Sequence, residues 1–317
     1  TVKDSIVTMR GCFGGCTFCS ITEHEGRIIQ SRSAGSVLKE VRALSRMEGF
    51  SGVISDVGGP TANMYQMRCK SDEIESKCRR LSCVHPKICD NLDTDHGPLV
   101  ELLRRVRGEK GIKRVFVASG IRYDLAERSP AFVRELAAHH TGGQLSVAPE
   151  HTDPKVLDKM KKAGIQAYER FAQAFCQASE QAGKEQYLIP YFIVGHPGST
   201  LADTIELARW LKRKNMRPRQ IQEFIPTPMA IATAMYVTGL DPLSGDAVPV
   251  ARDLREKRRM KALLFWWDEQ HHPMAREALK LAGRRDLIGS GRDCLIPAER
   301  SGRSPVRPMR RRAPKRC

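Results

Sequence analysis

The sequence predicts an α/β fold: six β/α units forming a partial, TIM-like (β/α)6 barrel, followed by a C-terminal helical appendage and a disordered basic tail. Three observations predict it. Short β-branched or apolar runs recur six times, the segments between them carry apolar residues at helical spacing, and chemistry-bearing residues follow the strand ends. Helical connections of this length force parallel strands and right-handed crossovers, so the sheet is either open or curled, two units short of a closed eightfold barrel. We place the core at 1–226, with an insertion at about 66–96, the appendage at 227–297 and the tail at 298–317.

The six runs are SIVTM (5–9), GVISDV (52–57), RVFVAS (114–119), QLSVAP (144–149), QYLIPYFIVG (186–195) and RQIQEFIP (219–226). Between them, Val37, Leu38, Val41 and Leu44 follow Ser36, Leu99, Leu102, Leu103 and Val106 follow Gly97, and Thr204, Ile205, Leu207, Ala208 and Leu211 follow Ser199. Each group lies on one face of a helix. In β/α folds the loops at the carboxyl ends of the strands carry function. Here these are the cysteine-rich loop after the first strand, GGPTANMY (58–65), GIRYD (120–124), EHTD (150–153), HPGST (196–200) and PTP (226–228). Beyond residue 226 a proline-rich stretch precedes two helical segments, about 251–270 and 273–282.

The chain has 317 residues, 41% of them hydrophobic, enough for a sizeable core. No apolar run is long enough to span a bilayer, and the first residues lack a secretory layout, so we expect a cytoplasmic protein without membrane contact. The start at Thr1 rather than Met leads us to expect an upstream region. Net charge is +17, but residues 300–317 hold eight Arg and Lys and no acid. That tail is too poor in apolar groups to fold; RNA is its candidate partner and a solvated tail the plainer alternative.

TMRGCFGGCTFCS (8–20) puts three of the ten cysteines into eight residues. Cytosolic cysteines are thiols and metal ligands more often than disulfides. A four-iron cubane needs four ligands; Cys12, Cys16 and Cys19 supply three, and Gly11, Gly14 and Gly15 let backbone approach inorganic sulfide. One iron is then left open for substrate or cofactor. A Cys3His zinc site completed by His24 or His151 is the competing reading.

A C-x3-C-x2-C loop with Phe18 before its last cysteine, after the first strand of a β/α series, resembles the signature of the radical S-adenosylmethionine (radical SAM) superfamily. The resemblance implies a [4Fe-4S] cluster whose open iron is chelated by S-adenosylmethionine, reductive cleavage to a 5′-deoxyadenosyl radical, and a reductant protein such as flavodoxin or ferredoxin. It also implies roles by position. Phe18 matches the aromatic beside adenine, and Gly58-Gly59-Pro60 the motif that holds the methionine amino group, where Pro60 replaces the usual Glu. Ser119, Arg122 and Glu150 match the polar residues that meet ribose and carboxylate; the segment from Ile193 to His196, and more weakly Gln222 to Phe224, match backbone contacts to adenine. At finer scale, GCFGGCTFCSITEHEGRIIQSRS, SDVGGPTANMYQMRCKS, AGKEQYLIPYF and PTPMAIATAMY resemble the YgiQ-type radical SAM proteins, from about residue 4 to 297. That family's substrate does not follow from the resemblance.

Cys69, Cys78, Cys83 and Cys89 lie in the polar insertion, expected to be irregular, and make a candidate second site for an Fe-S cluster or zinc, with His85 as a substitute ligand. His139-His140 reads as a helix C-terminal cap. His196 reads as a proton donor, a substrate contact or a turn residue, and His271-His272, beside Trp266-Trp267, as packing of the appended helices. The resulting expectation is a radical SAM enzyme acting on an unknown substrate. A methylthiotransferase-like modification of RNA or protein is the enzymatic alternative, and a metal-stabilised nucleic-acid-binding module the non-enzymatic one.

Overall fold

Residues 2–299 are described in the computed structural model, and the extended segments among them fall where the β-branched runs lie. In chain order they are β1 (Ser5–Val7), β2 (Met9–Arg10), β3 (Gln30–Ser31), β4 (Val53–Ile54), β5 (Asp56–Gly58), β6 (Arg114–Val115), β7 (Gln144–Glu150), β8 (Tyr187–Val194) and β9 (Ile221–Glu223). The pairings run in sequence order and parallel. β1 pairs with β5, β4 with β6, β7 with β8 and β8 with β9. The Val57 amide donates to Phe116 O at 2.9 Å, and a parallel bridge joins Ile121 to Val147, so the short ladders continue one another. All six expected strand runs are thus present, the third and sixth shorter than the apolar pattern suggests. Among the described strands only β2 and β3 pair antiparallel, Met9 opposite Ser31, clamping both ends of the cysteine loop.

Between these strands lie α1 (Ile21–Glu25), α2 (Ala34–Leu44), α3 (Asp72–Lys77), α4 (Gly97–Arg107), α5 (Tyr123–Ala126), α6 (Pro130–Glu135), α7 (Pro154–Met160), α8 (Ile165–Gln181) and α9 (Leu201–Arg213). Their starts are written in cap chemistry. Ser33 Oγ accepts the Ser36 amide at 3.2 Å to open α2, and Thr200 and Asp203 form a reciprocal capping box at α9. Val37, Leu38, Val41 and Leu44 of α2 are buried, as are Leu99, Leu102, Leu103 and Val106 of α4, in one core with Ile54, Val57 and Val115.

After β9 come α10 (Ile231–Thr238), α11 (Leu254–Leu264) and α12 (His272–Leu281). α11 and α12 pack through Met260, Leu263, Leu264, Ala275 and Leu279 onto Phe192, Ile205 and Leu211 of β8 and α9. The appendage is therefore continuous with the last two β/α units in packing. α11 stops at Leu264, six residues short of the expected stretch, where Phe265 leaves helical geometry and its ring stacks 4.5 Å from His271. His272 Nε2 lies 3.0 Å from Trp266 O, so this histidine pair does serve packing.

Two local expectations need correction. His139-His140 is not a simple cap: it ends a π-helical turn (Leu136–His140), and His140 is fully buried, with Nδ1 2.9 Å from Val115 O and Nε2 3.3 Å from Glu135 Oε1. Burial and two fixed partners, both invisible in the sequence, replace the exposed cation that capping requires. The insertion is not wholly irregular either, since Ser71 caps α3 by accepting the Ile74 amide at 3.2 Å. The basic tail and Cys317 lie outside the described residues.

Candidate active site

The cysteine loop leaves β2 at Gly11 and is held by backbone on both sides. The Cys12 amide donates to Gly26 O at 3.1 Å, the Thr17 amide to Met160 O at 3.2 Å, and the Cys19 amide to Cys16 O at 3.1 Å. Thr17 Oγ1 donates to Lys159 O at 2.7 Å, while Thr17 O accepts the Ala232 amide at 2.8 Å. Two distant segments, the end of α7 and the start of α10, thereby fix one residue between the second and third cysteines. Gly15 has φ +60°, and a Cβ there would lie 2.2 Å from Leu81 O, so only glycine fits.

The sulfurs meet donors and buried charge. The Gly14 amide donates to Cys12 Sγ at 3.3 Å, and Arg122 Nη1 donates to Cys16 Sγ at 3.5 Å. A Cβ on Gly14 would stand 3.2 Å from Cys12 Sγ and 3.5 Å from Cys16 Sγ, filling the space in front of both. Burial pushes the Cys16 thiol up in pKa, opposed by Lys162 and Arg122; burial also pushes Cys19 up to about 11. Metal binding must therefore displace protons from these thiols, and the nearby cations favour the anionic sulfurs. Among the described residues no three His, Cys, Asp or Glu gather to hold a single metal ion. Ligands of a cubane attach to separate irons, so three sulfurs on a glycine-lined loop suit a cluster rather than the Cys3His zinc alternative.

Arg122 itself is buried and pairs with Asp124, Nη2 to Oδ2 at 2.5 Å and Nε to Oδ1 at 2.9 Å. Burial opposes the guanidinium charge, but Asp124 and the sulfurs outweigh it and hold its pKa well above the ordinary value. Asp124 is likewise penalised by burial yet held below the usual carboxylate range by Arg122. Glu150 follows a register shift in β7, sits at φ +67°, and is buried with Oε1 3.8 Å from Lys162 Nζ. Burial raises its pKa against the pull of Lys162 and Arg122. A buried carboxylate on a left-handed, non-glycine backbone is strained, as functional positions often are.

The other sequence-derived candidates lie around the same loop ends. The Phe18 ring meets His196 edge-on at 5.9 Å, and His196 is buried, with Nδ1 2.7 Å from Pro197 O and Nε2 3.4 Å from Thr17 Oγ1. Gly59 is pressed against β2, where a Cβ would lie 2.7 Å from Met9 O, and half-buried Pro60 follows it. Gly58 faces Ser119 so closely that a Cβ would sit 2.6 Å from its Oγ. Ser119 Oγ donates to Asp56 Oδ2 and its amide to Asp56 Oδ1 at 3.0 Å, so its hydroxyl hydrogen is engaged across the strand ends. The sequence reading missed Lys162, Asp124, Asp56 and Thr17. The Asp124 pairing was open to a reading of Arg-Tyr-Asp as a charge pair; the burial of Lys162, in a run of polar residues after α7, had no sequence signal.

Comparison with known proteins gives the family. The family model of the radical SAM superfamily matches residues 6–211, and a model described as a domain of unknown function (DUF3362) matches 219–316. The chain belongs to the radical SAM superfamily. Among curated relatives it is similar to UPF0313 protein RPA0679 of Rhodopseudomonas palustris, 58% identical over 94% of this chain and 45% of that protein. It is also similar to UPF0313 protein YgiQ of Escherichia coli strain K12, 53% identical over 94% of this chain and 41% of the relative. The chain thus spans less than half the length of these relatives. Among solved structures, the radical S-adenosylmethionine methyltransferase TsrM from Kitasatospora setae, with cobalamin and [4Fe-4S] cluster bound, aligns at TM-score 0.45 and 19% identity, covering 79% of this chain and 44% of that one. The cobalamin-dependent S-adenosylmethionine radical enzyme OxsB aligns at TM-score 0.46 and 13% identity, covering 82% and 35%.

Proposed function

We propose that this chain is the S-adenosylmethionine-cleaving part of an enzyme that acts on an as yet unidentified substrate. The observation that supports it most is the trio Cys12, Cys16 and Cys19 on one half-buried loop, with Gly14 and Arg122 donating to two of the sulfurs. A [4Fe-4S] cluster bound there supplies the electron that breaks the sulfonium bond of S-adenosylmethionine. The chain's own residues do the holding. Phe18 and His196 flank the adenine side; Gly58, Gly59 and Pro60 offer backbone to the methionine ammonium; Arg122 steadies cluster charge; Ser119 presents oxygen lone pairs. With Pro60 where a carboxylate is usual, Glu150 is the acid we assign to the ammonium, since it is buried at the carboxyl end of β7, the strand end whose loop the sequence reading placed with the cysteine loop.

The six parallel runs, taken in order, suit an open six-unit barrel whose mouth these loops surround, with the division into core, insertion and appendage given above. A low-potential reductant protein and a cytoplasmic setting belong to the same proposal. Among the described residues no helix is long and apolar enough to cross a membrane. The test is anaerobic reconstitution with iron and sulfide, then addition of dithionite and S-adenosylmethionine. We expect 5′-deoxyadenosine from the wild type and none from Cys16→Ala; its absence from both, or its presence in both, overturns the proposal.

A further inference from the structure

The insertion after β5 brings further sulfurs against the back of the first cysteine loop. The Cys83 amide donates to Phe13 O at 3.0 Å, Ser82 Oγ donates to Gly14 O at 2.7 Å, and Leu81 O closes on Gly15. Cys83 is buried, and the Cys89 amide donates to its carbonyl at 2.8 Å. Cys78 caps the C-terminal end of α3, five residues before Cys83. Cys69 lies near the start of the insertion, opposite Leu92 on an isolated antiparallel bridge.

Arg27 is the second observation. It lies just after α1, half-buried, and donates Nη1 to Cys83 Sγ at 3.4 Å. Among the described residues it forms no ion pair with a carboxylate. A half-buried guanidinium favours an anionic partner, and the side-chain acceptor it has is the Cys83 sulfur. Thiols are poor partners for it. Thiolates are good ones, and cysteines in this setting stay thiolates when they ligate a metal.

We propose that Cys78, Cys83 and Cys89 hold a second iron–sulfur cluster, with Arg27 hydrogen-bonded to the Cys83 sulfur. A single zinc fits less well. As with Cys12, Cys16 and Cys19, these sulfurs do not gather to single-ion spacing, whereas thiolates on separate irons of a cluster stand further apart. A disulfide would consume two of the three sulfurs and leave Arg27 without an anion. The site is joined to the first by one backbone hydrogen bond, Cys83 to Phe13, the residue after Cys12.

The test counts iron with the first loop disabled, so it does not depend on cleavage of S-adenosylmethionine. The full chain carrying Cys12→Ser, Cys16→Ser and Cys19→Ser is reconstituted anaerobically with iron and sulfide. Iron, zinc, acid-labile sulfide and the electron paramagnetic resonance of the reduced protein are then measured. We expect about half the wild-type iron and sulfide, a value unchanged by adding Cys69→Ser and lost on adding Cys78→Ser and Cys83→Ser. In the otherwise unaltered chain, Mössbauer spectra should resolve two cluster environments, one of them lost in Cys78→Ser; Arg27→Gln should keep the iron but shift that cluster's signal. Iron-free triple variant, one zinc in place of iron, or loss of metal in Cys69→Ser equal to that in Cys78→Ser each overturns the proposal. If the triple variant does not fold, a single cluster environment in the wild-type spectrum does so.

Discussion

Arg122 reaches the Cys16 sulfur with one guanidinium nitrogen, at 3.5 Å, while its other two nitrogens hold both oxygens of buried Asp124. The bidentate pair fixes the plane of the guanidinium, and that plane aims the remaining donor at the sulfur. Lysine cannot do both. Arg122→Ala leaves Asp124 buried and unpaired, which costs about 3–5 kcal/mol. We expect the midpoint of urea unfolding of the metal-free chain to fall accordingly. In Arg122→Ala with Asp124→Asn much of that stability should return, while iron retention after reconstitution stays low, separating the fold's need for the pair from the cluster's need for the donor.

Gly15 couples the cysteine loop to the insertion. Gly15→Ala must relieve a 2.2 Å approach to Leu81 O and a 2.9 Å approach to Leu81 C, both backbone, at a φ of +60° that alone costs about 1–2 kcal/mol for an L side chain. We expect a loss of at least ~2 kcal/mol in denaturant unfolding and faster proteolysis within 66–96. Gly14→Ala is the contrast, since its backbone is ordinary and its Cβ would meet Arg122 Nη1 and the Cys12 sulfur. Stability should change little, but iron content after reconstitution should drop.

What the sequence disclosed and what it concealed divide along a physical line. The radical SAM family was legible because its cysteine loop repeats one residue type at fixed spacing, and the strand runs because burial demands alternation of period and composition. Helix starts such as Thr200 with Asp203 were also written locally. Lys162 and Glu150, Ser119 and Asp56, and Arg27 and Cys83 were not, because each is a pair made only when separate segments meet. Ser119 shows the consequence. Its place at a strand end was readable, but not that its hydroxyl would donate to Asp56.

Three buried histidines contribute to the loss of stability in acid. Burial lowers the pKa of His96, His151 and His196 to about 4, against weaker opposing contacts from neighbouring backbone or carboxylates. The bonds agree with neutral rings: His96 Nε2 stands 3.1 Å from the Asn63 amide nitrogen, and His151 Nδ1 accepts the Asp153 amide at 3.0 Å. From the unfolded value of 6.5 down to about 4, the unfolded chain binds more protons than the native one, so stability present above pH 6.5 is lost as pH falls. Each histidine contributes about 1.4 kcal/mol per pH unit in that window. Urea unfolding of the metal-free chain between pH 7 and 4.5 should show this slope, and His96→Gln should lower it by about one histidine's share; an unchanged slope in His96→Gln refutes the assignment.

Glu150 carries the opposite sign. Burial raises its pKa above the ordinary 4.5, so in the window just above that value the native state binds the proton more tightly than the unfolded chain does. Its contribution to stability is present below pH 4.5 and declines as pH rises through the folded value. Glu150→Gln removes this term and should become more stable relative to wild type as pH rises, although its φ of +67° remains strained. If Glu150 is the carboxylate that receives the methionine ammonium in place of Pro60, the same substitution should weaken S-adenosylmethionine binding by about 10- to 100-fold, the worth of a charged hydrogen bond. Calorimetric titration of the reconstituted protein reads the second effect and urea unfolding the first. Gain of stability together with loss of affinity is what a buried, strained carboxylate kept for a ligand must show; gain of stability with affinity unchanged would assign the ammonium to backbone carbonyls of Gly58 and Gly59 instead.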